Sequence, residues 1–158
     1  VVIGEEILSG RTKDKNIGTL ADFCTDHGIE LREVRVVGDT TEAIVSAVRA
    51  LSKTCTYVFT TGGIGPTHDD ITADSIAAAF GVDIGEHPEV IASLGKRYAD
   101  MGMEFTPARR RMARIPFGAR LIANPVSGAP GFQTGNVFTM AGVPKIARAM
   151  MEDVLPNL

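Results

Sequence analysis

Apolar residues along the chain recur with two alternating periods, one suited to strands and one to helices. The run Val1-Val2-Ile3 is short and wholly apolar, as in a buried strand, and it is followed by the polar-rich stretch GEEILSGRT, expected to be a loop. Because Val1-Val2-Ile3 reads as the middle of a strand, the native start is expected a few residues upstream. A helix is predicted from about Asp14 to His27, a second strand over Leu31–Val37 and a second helix over Thr41–Lys53. In that helix Ile44, Val45, Val48 and Leu51 recur at spacings of three and four, which places them on one face. Tyr57–Thr60 is the third predicted strand.

The glycine-rich TTGGIGPTHDD follows at residues 60–70, and an Ala-rich helix is predicted from Thr72 to Phe80, stopped by Gly81. Another helix is predicted from His87 to Met101, opened by Pro88, and a short one after Thr106-Pro107 that carries Arg109 to Met112. Pro116-Phe117-Gly118 interrupts the pattern before an extended stretch at Ala119–Ile122. Asn124-Pro125 and Gly128-Ala129-Pro130-Gly131 are loop signals. Phe132–Thr134 and Val137–Thr139 flank Gly135-Asn136, a hairpin signal, and Pro144 opens a last helix that ends near Leu155. Strand and helix periods in alternation predict an α/β fold with a parallel sheet and helices on both faces.

With 158 residues and no linker, repeat or low-complexity tract, a single domain spanning 1–158 is expected. The hydrophobic fraction of 44% beside 22% charged residues belongs to a globular protein, and no apolar run is long enough to span a membrane. The formal net charge of -3 offers no basic face for a nucleic acid, and the one basic cluster, Arg109-Arg110-Arg111 with Arg114, is short. It either clamps a phosphate or faces water. Cys24 and Cys55 lack metal-pair spacing and are expected to be buried reduced thiols, in keeping with a cytoplasmic protein.

The chemistry concentrates in TTGGIGPTHDD. Thr61, Gly62, Gly63, Gly65, Pro66 and Thr67 form a turn after a strand, where glycines permit sharp bends that aim N–H groups at an anion and the next helix adds its positive end. Asp69 and Asp70 close the turn; one suits a divalent cation such as Mg²⁺, and the other a water or the helix start. Both also suit a plain helix cap, and His68 is either a phosphate donor or a surface residue. The first loop, with Gly4, Glu5, Glu6, Ser9 and Gly10, follows a strand too, so it should emerge at the same carboxyl edge of the sheet, where doubly wound folds place their ligand crevice. Asp39 in VVGDTT belongs to that edge as an acid or as a cap with Thr40. Gly128, Pro130 and Gly131 either form a second wall or only connect strands.

Taken together, IGEEILSG with Asn16, VVGD, TTGGIGPTHDDIT, RRRMARIP, NPVSGAPGF and AGVP resemble the MoaB/Mog-like molybdopterin-binding domain, within it the CinA-like (competence/damage-inducible) branch. The THDDIT segment is also similar to the domain joined to eukaryotic FAD synthases. The resemblance implies a three-layer α/β/α sandwich with a mostly parallel sheet. It also implies a pocket built from the glycine loop, the first loop with Asn16, and the APG loop, with Asp70 and Asp39 as important acids. Relatives that insert molybdenum commonly have Arg where this chain has Asp69, a departure that suits the CinA-like branch. Glu5, Lys15 and Met140-Ala141 are further departures. The implied functions are metal-dependent cleavage of a nucleotide pyrophosphate of the ADP-ribose or FAD type, or molybdopterin binding or transfer in molybdenum cofactor biosynthesis, or a ligand-binding module without turnover. A homo-oligomer, trimer or dimer, is expected by the same resemblance.

Overall fold

The computed structural model describes residues 1–158. Six strands form the main sheet in the order β2-β1-β3-β8-β7-β6, where β1 is Val2–Ile3, β2 Val36–Val37, β3 Val58–Thr61, β6 Arg120–Ile122, β7 Gly131–Thr134 and β8 Val137–Met140. The pairs β2-β1, β1-β3 and β3-β8 are parallel, whereas β8-β7 and β7-β6 are antiparallel. The sheet is therefore mostly parallel at one side and closes with the predicted hairpin at the other.

Side-chain alternation along two central strands divides the interior in two. On β3, Val58 joins a core with Ile44, Val48, Leu51, Ile76, Val90 and Leu94, while its neighbour Phe59 points to the opposite face and packs with Leu20, Cys24, Met150 and Met151. On β8, Val137 and Phe138 divide in the same way. Helices α3 (Thr41–Thr54), α4 (Thr72–Phe80) and α5 (Pro88–Asp100) belong to the first core, and α2 (Asn16–Asp26) and α7 (Pro144–Val154) to the second. The result is the expected three-layer sandwich. In α3 the buried positions are Ile44, Ala47, Val48 and Leu51, so Ala47 takes the place the periodicity had given to Val45.

Several local expectations change. The first loop contains a helical turn, α1 (Glu5–Leu8), held at its start by Asp39, whose Oδ2 accepts the Glu5 N–H at 2.9 Å. Of the predicted strand Leu31–Val37 only Val36–Val37 pairs, because β1 offers only two residues to pair with it. Ile84–Glu86 (β4) and Arg114–Pro116 (β5) form a separate antiparallel pair that was not expected, packed against α4. Strands of three residues leave too short a stretch for a period to be read. Cys24 is buried and burial pushes its thiol pKa up, whereas Cys55 is half-buried at the carboxyl end of α3, just short of β3; both are free.

The basic cluster is engaged by the protein itself. Arg110 pairs with Glu86, Arg114 with Asp74, and the Arg109 guanidinium lies 4.6 Å from the centre of the Tyr98 ring. The short helix α6 (Pro107–Arg110) carrying these residues is capped by Thr106, whose hydroxyl accepts the Arg109 N–H. No helix is long and apolar enough to cross a membrane.

Candidate functional site

Strand β3 ends at Thr61 and the chain turns at once, a bend that only glycine supplies here. Gly62 and Gly63 have φ of 100° and 72°, and a Cβ on either would collide with the Ile3 carbonyl or the Thr72 hydroxyl. Thr72, buried at the start of α4, locks the turn: its hydroxyl donates to the Gly62 carbonyl at 2.9 Å and its N–H to the Gly63 carbonyl. With the carbonyls thus held, the N–H groups of Gly63, Ile64 and Gly65 find no acceptor within the chain.

The second half of the turn is closed by Asp70. Its Oδ2 accepts both the Thr67 N–H and the Thr67 hydroxyl at 2.8 Å. Arg111 reaches across from the 3-10 turn at Arg111–Ala113 toward the carbonyls of His68 and Asp70, at 3.5 and 3.4 Å. Asp69 instead turns outward, its carboxylate 3.0 Å from His68 Nε2, with both side chains largely exposed.

This turn forms one wall of a cavity of about 480 Å³ at the carboxyl edge of β1 and β3. The opposite walls come from Thr12 to Asn16 at the start of α2 and from Ala141 to Pro144 at the start of α7. The amino ends of two eleven-residue helices thus border the same space as three free amides, and both carry the positive end of a helix dipole. Two of the lining residues carry a buried polar atom without a partner, Asn16 at Oδ1 and Thr61 at Oγ1. Glu6 also lines it, and Ile7, Met112 and Ile146 add apolar surface facing the polar end. A trough of about 410 Å³ at the other end of the sheet is lined chiefly by apolar residues such as Leu20, Leu31 and Phe59 and brings no such donors together.

Of the residues read from the sequence, the structure brings Asn16, Thr61, Gly62, Gly63, Gly65, Pro66 and Asp70 to this cavity. It does not bring Gly4, Glu5, Ser9, Gly10, Asp39, Thr67, Asp69, Gly128, Pro130 or Gly131 to its lining. The physical reasons are local. The helical turn α1 presents Glu6 and Ile7 inward and leaves Glu5 over Gly38, while Asp39 is consumed in capping that turn. Thr67 serves Asp70, and Asp69 is drawn to His68. In the 124–131 loop, Asn124 folds the chain on itself, donating to Ser127 Oγ and the Ala129 carbonyl and accepting the Val126 and Ser127 N–H groups. Asn124, Ser127 and Ala129 therefore face the cavity, whereas Gly131 sits in β7 under Thr139 and Pro130 borders a small adjoining cleft.

The sequence reasoning missed Thr12, Lys13, Asp14 and the α7 start as site elements. A signal for the latter existed, since β8 followed by a proline-opened helix repeats the strand-turn-helix order of the glycine turn.

No three His, Cys, Asp or Glu side chains gather to hold a metal ion. With Asp69 turned away and Asp70 Oδ2 used by Thr67, these residues do not form a resident metal site. They fit a divalent ion only as one carried on a ligand's phosphates, to which Asp70 would add a single carboxylate oxygen.

Comparison with known proteins accords with this geometry. The model of the probable molybdopterin binding domain matches residues 1–158. A protein of Thermoplasma acidophilum is 35% identical over 98% of this chain and 63% of its own length, and a CinA-like protein of Citrifermentans bemidjiense is 38% identical over 99% of this chain and 39% of its own. The chain thus spans less than two thirds of these relatives. The crystal structure of a CinA protein of unknown function from Thermoplasma acidophilum superposes with a TM-score of 0.90 at 35% identity, covering 99% of this chain and 94% of that one. The molybdopterin biosynthesis enzyme MoaB of Thermus thermophilus shares the fold, with a TM-score of 0.63 at 20% identity over 99% of this chain and 87% of that one. With its MoaB/Mog-like sandwich and its glycine turn at the sheet's rim, the chain belongs to the molybdopterin-binding domain family, on the side of its CinA-like members.

Proposed function

We infer that the cavity binds a phosphate-bearing nucleotide or pterin and that the chain hydrolyses a nucleotide pyrophosphate of the ADP-ribose or FAD type. The observation that carries this reading is the row of unpartnered amides at Gly63, Ile64 and Gly65 beside the Asp70 carboxylate, on one wall of a cavity of about 480 Å³. Fixed N–H donors stabilise negative charge without reorganising during the reaction, and the helix ends reinforce them. In the proposed step a water oxygen bonds to one phosphorus as the bridging P–O bond breaks, releasing AMP and the second phosphate ester. A divalent ion carried on the phosphates would neutralise their charge, and Asp70, which lines the cavity, would be the carboxylate that meets it.

Incubation with ADP-ribose or FAD and Mg²⁺ should release AMP, EDTA should stop it, and Asp70→Asn should abolish it. Turnover unchanged in Asp70→Asn would remove the assignment. The apolar lining at Ile7, Met112 and Ile146 favours a second reading, binding of a pterin ring without pyrophosphate cleavage. Calorimetric titration separates the two: a pterin phosphate that binds far more tightly than ADP-ribose, with no AMP release, selects the second.

A further inference from the structure

Carboxylates line the cavity at Glu6, Asp14 and Asp70, and the last two are committed within the chain. Asp14 Oδ2 accepts the Ile17 N–H at 2.8 Å and so caps α2, while Asp70 Oδ2 is held by Thr67. Glu6 differs. Its backbone carbonyl accepts the Thr12 N–H and the Ser9 hydroxyl, but its carboxylate takes part in no hydrogen bond or ion pair. A half-buried carboxylate left free in a space with donors for phosphate repels an anionic ligand, so ligand affinity does not account for it.

Gly4 supplies an independent observation. Its φ of 163° is extended backbone that any residue adopts, so no turn demands glycine there. A Cβ at this position would instead lie 2.6 Å from Glu6 Oε1 and 2.7 Å from Oε2. The missing side chain makes room for this one carboxylate, folded back over the end of β1. That end abuts the glycine turn, because the Ile3 carbonyl occupies the place a Gly62 Cβ would take. A glutamate that merely faced water would not need such a seat.

We propose that Glu6 is the general base of the pyrophosphate cleavage, the group that takes a proton from the attacking water. The proposal rests on the reading of the cavity as the site of that reaction and adds the residue that activates the nucleophile. As the water oxygen bonds to one phosphorus, its proton passes to the free Glu6 carboxylate, and the electron pair of the bridging P–O bond leaves with the second phosphate ester. Glu6 then yields the proton to that ester and is a carboxylate again. The two acids divide the work by what holds them: Asp70 is fixed by Thr67 within the turn, whereas Glu6 has both oxygens free to move a proton.

The test compares the 158-residue protein with Glu6→Gln and Gly4→Ala, using ADP-ribose. With Mg²⁺ present, Glu6→Gln should lower kcat for AMP release about 100-fold or more. Titrated without a divalent ion, so that nothing is cleaved, the same variant should bind ADP-ribose about threefold more tightly than the wild type at low salt, since a like charge has gone. A merely structural residue would not tighten binding. Gly4→Ala keeps Glu6 but pushes its carboxylate aside, and should lower kcat about tenfold without lowering the melting temperature. Combined with Glu6→Gln it should cost nothing further. If Glu6→Gln keeps the wild-type kcat, or binds ADP-ribose more weakly, the general-base role is overturned while wild-type turnover upholds the cleavage reading. If the wild type releases no AMP, the cleavage reading falls and this role with it.

Discussion

Asn16 and Gly142 are 126 positions apart in sequence, yet the side-chain amide of one donates to the carbonyl of the other at 2.8 Å. This bond ties the start of α2 to the start of α7 and so sets the distance between two walls of the cavity. Replacing Asn16 with Leu should lower stability by about 1–3 kcal/mol, the range for a lost buried hydrogen bond, and should also weaken binding of ADP-ribose. Urea unfolding measures the first effect and titration the second; an unchanged midpoint would show that the two helix ends are held by other contacts.

Asp70 has two separable roles, closing the turn and facing the cavity. Asp70→Asn keeps an oxygen that can accept from Thr67, so its melting temperature should stay near that of the wild type while AMP release is lost. Asp70→Ala leaves the Thr67 N–H without its acceptor and should cost a further ~1 kcal/mol. Equal melting curves for the two variants would contradict the turn-closing role.

Gly63 stands at φ 72° with its missing Cβ directed at Thr72 Oγ1. Gly63→Ala should destabilise the fold by about 1–3 kcal/mol through strain and collision, and should displace the amides that form the cradle. Differential scanning calorimetry with parallel nucleotide titration checks both parts. Full affinity in that variant would separate the cradle from ligand binding.

Legibility in the sequence depended on how local the cause was. Helix α4 is read within a residue because Thr72 to Phe80 is Ala-rich and Gly81 takes the left-handed turn that ends it, at φ 66°. The glycine turn was equally plain, since its bend follows from the residues in it. The pair β4-β5 was not, because Ile84 and Pro116 are partners only across the intervening α5 and α6. The roles of the arginines were hidden for the same reason: nothing near Arg114 in sequence announces Asp74.

By itself, the chain's order of residues determined the alternation of strands and helices, the place of the bend after Thr61 and the family to which the domain belongs. The first two follow from backbone preferences and periodicity acting over a few neighbouring positions, and the third from the resemblance its motifs carry. Only the tertiary structure decided which acids face the cavity. Asp39, Asp69 and Asp70 look alike as residues, but Asp39 meets the Glu5 amide, Asp69 meets His68, and Asp70 alone of the three lines the ligand space. Tertiary packing also set Lys13 and Lys15 opposite the glycine turn, because that placement depends on how α2 docks on the sheet through Leu20 and Cys24. Such docking sums contacts between distant segments, and no local pattern records it.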